Sequence, residues 1–359
     1  MRKKKVAIVG IVGLPPNYGG FETLVNYLTL NKYEEFLFTV YCEKTKKKNR
    51  LSYYNGSKLI YLPLKANGFQ SIIYDIIAII RSWFTYDTIL ILGTPGCVIL
   101  PFLRILKKTN TVVNFGGLEW KRDKWNKIVL RYLKLTEKLA IKYSDHIVAD
   151  NQFFCDYISS TYNKKSTLIE YGGNHTQVRS FDDLLLKKYP FLSKPYDVSV
   201  SRAQPDNNLH LVLEAYAKNK DRNLVLISNY DKFEYGRKLK QEYANVSNIH
   251  MLDAVYDQEE LDTIRSNAQL YIHSHSFCGT APSLVEAMSL GLPIISFDAP
   301  TNIFATENEA MYFQDVNGLL EILQTLNQNK LDVLKNRMKN IAEKRYLWKR
   351  ISNMYAELF

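Results

Sequence analysis

Chemistry-bearing residues are densest in HSHSFCGTAPSLVEAMSLGLP, residues 273–293. Gly279, Thr280, Ala281 and Pro282 fall between an expected strand and an expected helix. Their backbone N–H groups can there cradle an anion or a sugar at the positive end of the helix dipole. Glu286 lies at the start of that helix, where a carboxylate can accept hydrogen bonds from ribose hydroxyls; complementing the dipole is its plainer role. His273 and His275 are two apart on a strand and share a face. The spacing offers no third ligand beside them, so no metal is expected, and a satisfied core histidine is the simpler reading for one of them.

Three further places carry candidate groups. Arg202 ends the run DVSVS, where a guanidinium can hold a diphosphate bidentately and stabilise the charge that builds as it leaves. NFGGLEWKRDKW follows another strand-like run and sets a carboxylate (Glu119), an aromatic platform (Trp120) and two cations (Lys121, Arg122) side by side, suited to a sugar ring and a phosphate. Gly19 and Gly20 open a helix after the first strand and would let a phosphate or sugar approach the backbone. That loop is not G-x-G-x-x-G, so dinucleotide binding is not expected.

The elements that must position these residues repeat a strand-helix rhythm. VAIVGIV, FLFTVYC, KLIYL, TILILG, TVVNF and HIVAD alternate with helical patterns, and after residue 180 DVSVSR, LVLIS, IHML, LYIHS and PIISF do the same. Such alternation predicts an α/β chain of two doubly wound, Rossmann-like domains with parallel sheets, whose ligands sit outside the carboxyl ends of the strands in a central cleft. The expected boundaries are 1–178, 179–346, and a last helix over 347–359 that packs back on the first domain. The 359 residues, 46% hydrophobic, suit two domains of this size.

Charge is divided unevenly. Residues 1–180 hold 27 Lys and Arg against 13 Asp and Glu, a balance of +14, whereas 181–359 stand at −3. The first half is therefore expected to meet an anionic partner. Lys3 to Lys5, Lys44 to Arg50 and Arg104 to Lys108, beside the amphipathic SIIYDIIAIIRSWF, suggest an anionic membrane surface. Nucleic acid is not expected, for want of a recognised motif. Cys42, Cys97, Cys155 and Cys278 stand apart, giving neither a disulfide framework nor a zinc motif and favouring a reducing, cytoplasmic compartment. The basic N-terminus reads as a buried first strand and no transmembrane helix is expected, so the expected location is cytoplasmic, peripheral to the inner face of the cell membrane.

NYGGFETLV, GLEWKRDKW, SRAQPDNNLHLVLEAY, YDQEELDTIRSNAQLYIHSHS and GTAPSLVEAMSLGLPIISFDAP together resemble a glycosyltransferase of family 4 with the GT-B fold, and within it a bacterial rhamnosyltransferase-like group. The resemblance spans nearly the whole chain. It implies an acceptor-binding first domain and a nucleotide-sugar-binding second domain, transfer with retention of configuration, and neither metal nor cofactor. The implied donor is dTDP-rhamnose and the implied acceptor a lipid-diphosphate-linked saccharide in capsule, exopolysaccharide or cell-wall polysaccharide assembly. A UDP-hexose donor and a non-catalytic subunit are the alternatives.

Residue by residue, the resemblance implies Arg202 and Glu119 as catalytic; Arg202, Asn207, His275, Gly279, Thr280 and Glu286 on the donor; and Gly19, Gly20, Glu22, Trp120, Lys121 and Arg122 on the acceptor. Three positions depart from the family pattern. Cys278 stands for the first glutamate of a pair whose second is Glu286, Asn207 and Asn208 occupy the region of a frequent lysine, and Gly116 replaces an aspartate ahead of the Gly-Leu-Glu-Trp segment.

Overall fold

A computed structural model of the chain describes residues 2–16, 19–46, 49–106, 109–121 and 126–359. The chain forms two compact units: Met1–Glu170 together with Trp348–Phe359, and Tyr171–Leu347. The second unit takes in residues 171–178, which the sequence assigns to the first. Gly173 explains this: a Cβ there would lie 2.4 Å from Val285 O and from Ser289 Oγ, so the segment runs hard against the helix Pro282–Ser289.

In the first unit, β1 (Lys4–Val9), β2 (Phe36–Cys42), β3 (Tyr53–Tyr54), β4 (Ser57–Tyr61), β5 (Thr88–Leu92), β6 (Asn110–Asn114), β7 (His146–Ala149) and β8 (Thr167–Leu168) make one sheet in the order β3-β4-β2-β1-β5-β6-β7-β8. Pairing is parallel except between β3 and β4. Val6 to Val9 and Thr88 to Leu92 are buried without alternation, the pattern of parallel strands covered on both faces. The strand order reverses between β1 and β5, and a crevice at such a switch point, beyond the carboxyl ends, is where ligands of this architecture bind. Gly10 makes the approach of the two strand ends possible: its φ is +100°, and a Cβ would lie 2.3 Å from Leu92 O.

The last helix, Trp348–Leu358, belongs to this unit. Trp348 stacks on Tyr27 at 4.8 Å, Asn114 donates to Tyr355 Oη at 2.7 Å, and Phe359 meets Phe36 edge-on. These contacts bury Trp348, Ile351 and Tyr355, the stripe at i, i+3, i+7.

The second unit holds β9 (Tyr196–Val200), β10 (Asn223–Ser228), β11 (Ile249–Asp253), β12 (Tyr271–His273), β13 (Ile294–Phe297) and β14 (Met311–Phe313) in the order β11-β10-β9-β12-β13-β14, all parallel. Its core joins Leu224, Leu226, Ile272 and Ile295 from the strands to Val212, Leu213, Tyr216, Leu319 and Leu323 from helices. Here the order reverses between β9 and β12. The chain is thus α/β with two Rossmann-like units. Among the described residues no helix is long and apolar enough to cross a membrane.

Candidate functional site

The switch point of the second unit gathers most of the expected donor-side residues. Two loops leave the carboxyl ends of β9 and β12 and are tied together: Ser276 donates through its N–H and its hydroxyl to Asp206 O, Asn208 Nδ2 donates to Ser274 O, and Ser274 Oγ donates to Asn207 O. Arg202 is exposed on the first loop, with no ion pair to its guanidinium among the described residues. Asn207 serves the loop itself, being buried with Nδ2 donating to Arg202 O at 2.8 Å. His275 and Gly279 are half-buried on the second loop, and Thr280 is buried just before the helix Pro282–Ser289. His275 Nε2 lies 2.8 Å from Ser201 Oγ.

Glu286 is the fifth residue of the helix Pro282–Ser289, past its first turn rather than at its start, and its carboxylate is held from two sides. Arg265 Nη1 lies 2.6 Å from Oε2, and His175 Nε2 lies 3.2 Å from Oε1. Burial alone would push this carboxyl up; Arg265 and His175 more than offset it and leave the group at about 2, so it is an anion throughout the neutral range. Arg265 is itself fully buried between Glu286 and Asp262, which it meets at 2.8 Å. Asp262 also accepts from the Gln177 N–H at 3.0 Å, tying residues 175–177 to this network.

Cys278, the position that departs from the family's glutamate, lies between His273 and Asn302: its Sγ is 4.0 Å from His273 Nε2 and 3.8 Å from Asn302 Oδ1. The His273 and His275 rings are tilted at 48° with centroids 4.2 Å apart. Burial pushes the His273 imidazole down to about 3, so it stays neutral.

In the first unit the expected acceptor residues fall on two loops at the carboxyl ends of β1 and β6. Gly19 precedes the helix Gly20–Lys32 with φ +119°, and a Cβ there would collide with Glu22 Oε2 at 2.3 Å. Glu22 is turned inward: it is buried, Oε1 accepts from Val12 N–H at 2.9 Å, and burial raises its pKa. It therefore braces the first loop, leaving Gly19 and Gly20 as that loop's approachable backbone. The second loop turns through Gly116 and Gly117, at φ +68° and +95°, before a 3-10 turn over Glu119–Lys121. Gly116 packs against the Phe21 ring, so the two loops adjoin. Glu119 is half-buried and Lys121 exposed. Trp120 donates its indole N–H to Glu137 Oε2 at 2.8 Å and carries Lys134 over its ring at 4.1 Å. Arg122 lies outside the described residues.

Four residues of these networks carry no local signal. Arg265, Asp262 and Glu137 read as solvent-side charges on amphipathic helices, and His175 sits in a linker; joining Arg265 and His175 to Glu286, and Glu137 to its three donors, needs contacts 17 to 111 residues away. The expected basic membrane run at Arg104 needs correction. Arg104 is paired with Asp145 at 2.5 Å and donates to Tyr143 O and Thr109 O, an internal clamp between strands β6 and β7. Lys47, Lys48, Lys107 and Lys108 lie outside the described residues.

Residues 184–345 match the family described as Glycosyl transferases group 1, and residues 3–174 match a Domain of unknown function (DUF1972). No curated protein matches the sequence. Among solved structures, sucrose-phosphate synthase from Thermosynechococcus elongatus is similar at TM-score 0.81 and 15% identity, over 99% of this chain and 98% of that one. Anabaena HepE in complex with UDP and glucose gives TM-score 0.78 and 14% identity over 99% and 98%. WaaG, a glycosyltransferase involved in lipopolysaccharide biosynthesis, gives TM-score 0.70 and 13% identity over 98% and 99%. At such identities the likeness is one of fold.

Proposed function

We propose that this chain, a glycosyltransferase of the GT-B type by its group 1 domain and its fold, transfers rhamnose from dTDP-rhamnose, with retention, to a lipid-diphosphate-linked saccharide in the assembly of a cell-surface polysaccharide. The observation that carries the donor half is Glu286, a carboxylate kept ionised and oriented by Arg265 and His175 at the switch point of the second unit. Each of its oxygens keeps a second lone pair, so ribose hydroxyls can still donate to it. The exposed guanidinium of Arg202 takes the diphosphate, and the N–H groups of Gly279 and Thr280 take a phosphate or the sugar.

In the transfer step, the bond from the anomeric carbon to the diphosphate oxygen breaks and the bond to the acceptor oxygen forms on the same face. The acceptor's proton passes to the leaving diphosphate. The protein then contributes position and charge: Arg202 stabilises the departing oxygen, while Glu119, Trp120 and the backbone at Gly19 and Gly20 orient the acceptor. Rhamnose and the lipid-linked acceptor are supported by the segments NYGGFETLV and GLEWKRDKW, which resemble those of the family 4 rhamnosyl group.

The membrane half of the reading is supported by apolar side chains left on the surface of the first unit. Phe69, Ile73, Ile80 and Phe84 follow one stripe on and beside the helix Gln70–Trp83, next to exposed Arg81, and Phe102, Ile105 and Leu106 are exposed on the helix Leu100–Leu106. An apolar stripe facing water suits insertion at a bilayer interface. Sedimentation with anionic vesicles at low and high salt tests this; binding indifferent to lipid charge and salt would overturn it.

The donor is tested by a thermal-shift panel of nucleotide sugars, with dTDP-rhamnose expected to stabilise most. A UDP-hexose is the second reading, favoured by the UDP and UDP-glucose held by HepE; larger stabilisation by UDP-glucose would replace the first. Stabilisation by none of the panel would overturn both and favour a non-catalytic subunit.

A further inference from the structure

One side-chain cluster has a use that sugar transfer does not require. His273, His275 and Cys278 come from the end of β12 and the loop after it, and one donor atom from each lies within 4.8 Å of the others. Among the described residues this is the only group of three His, Cys, Asp or Glu so arranged. The sequence shows two histidines at a strand spacing; the turn through residues 276–278 brings back the sulfur that the spacing does not reveal.

Two observations beyond proximity favour a ligand. His273 is 1% exposed; its Nε2 meets the Cys278 thiol at a long 4.0 Å and its Nδ1 has no hydrogen-bond partner, so neither nitrogen of this buried ring is held by a strong hydrogen bond. The cluster also has polar neighbours of the kind that orient ligating side chains. Ser201 Oγ is 2.8 Å from His275 Nε2, while Asn302 Oδ1 accepts from the Cys278 thiol at 3.8 Å, a bond that thiolate formation must break. Asn302 is fully buried and anchored, donating Nδ2 to His275 O at 2.8 Å and to Phe297 O at 2.9 Å.

We propose that His273, His275 and Cys278 form a binding site for one divalent cation of the zinc class, held by two imidazole nitrogens and a thiolate with one tetrahedral position open. Two nitrogens and one sulfur are a borderline-to-soft set that selects zinc over magnesium or calcium. With metal–nitrogen bonds near 2.0 Å and a metal–sulfur bond near 2.3 Å, tetrahedral ligand atoms stand about 3.5 Å apart. The cluster must therefore contract by roughly 1 Å, a movement open to the half-buried His275 and Cys278. Binding displaces the thiol proton of Cys278, so affinity falls on acidification. The ion takes no part in the bonds that break and form in sugar transfer, although the site shares His275 with the expected donor-side residues.

The test is calorimetric titration of chelator-treated, tag-free full chain with zinc chloride, and cobalt(II) absorption of the same protein. One zinc per chain is expected, with a thiolate-to-cobalt charge-transfer band. Cys278→Ala and His275→Ala should each weaken zinc at least about tenfold, the scale on which losses around a metal site are felt. Cys278→Ser keeps the side-chain volume and should abolish the cobalt band in a chain whose circular dichroism is unchanged. Stoichiometry well below one, no charge-transfer band in the wild type, or affinities unchanged in both alanine variants would overturn the site.

Discussion

Glu286 Oε2 lies 2.6 Å from Arg265 Nη1, and that guanidinium is fully buried with Asp262 as its other carboxylate. Burial of this kind is costly unless every charge is matched, and Arg265 is the cation common to both carboxylates. Its truncation therefore strands Asp262 and leaves Glu286 with His175 alone. Arg265→Ala is expected to lose about 3–5 kcal/mol of stability, read as a lower urea midpoint at unchanged slope. A loss within the scatter of surface substitutions would show that the network is not what holds this end of the sheet.

The same network fixes a direction with pH. The folded pKa of Glu286, about 2, lies below the ordinary 4.5, so the folded state binds fewer protons in that interval. Its stabilisation is complete above about pH 4.5 and is lost as pH falls towards 2. His273 acts in the window above: it is neutral in the fold down to about pH 3 and protonates in the unfolded chain near 6.5. The contribution of His273 should therefore begin to fall below pH 6.5, against the opposite contribution that buried Asp75 makes over the same interval, so it is read as the difference between wild type and variant. His273→Gln should flatten that upper limb and Glu286→Gln the lower one. Denaturation midpoints measured from pH 7 downwards decide this; parallel curves for all three proteins would refute it.

Much of the scaffold is legible because parallel strands buried on both faces must be apolar throughout. VAIV in β1, TILIL in β5 and VLIS in β10 satisfy that constraint with no tertiary information. The loops after β9 and β12 are legible for a related reason, since the ends of such strands are where a backbone cradle and an exposed Arg202 can meet a ligand. What sits behind the loops is not legible. Arg265 and Glu286 are 21 residues apart on different helices, and His175 is 111 residues from its carboxylate, so only the folded sheet brings them together. Glu22 and Asn207 show the reverse case. Their types suggest ligand contacts, yet backbone donors and acceptors nearer at hand claim them.

Asp75 is a buried carboxyl in the first unit, on the helix Gln70–Trp83, where burial pushes its pKa up to about 8. Among the described residues no hydrogen bond reaches its carboxyl. The ordinary value is 3.8, so the folded state holds the extra proton, and stability is lost as pH rises from 3.8 through 8. Asp75→Asn removes the titration at nearly constant volume, which matters because the residue is packed against Gly96. The variant should be close to wild type at pH 3.8 and below, with an advantage that grows as pH rises and reaches roughly 5 kcal/mol at pH 8. A gain independent of pH, or a loss at high pH, would contradict this account.

Glu137 gathers three donors on one buried carboxylate: Trp120 Nε1 at 2.8 Å, and the Tyr157 and Tyr162 hydroxyls at 2.7 Å each. Burial and the adjacent carboxylate push Tyr157 up to about 12, so both oxygens of Glu137 stay supplied with O–H or N–H donors through the working pH range. The indole of Trp120 is thereby fixed beside Glu119 on the loop proposed to orient the acceptor. Trp120→Phe keeps an aromatic face but withdraws one donor from a buried anion, at a cost of about 1–3 kcal/mol. Glu137→Gln keeps the volume, removes the charge, and frees the indole to turn. If Trp120 serves the acceptor, Glu137→Gln should raise the KM for the lipid-linked acceptor several-fold while leaving the donor's KM unchanged. A purely structural role would lower stability in both variants and move neither KM, and steady-state kinetics with each substrate varied in turn separates the two outcomes.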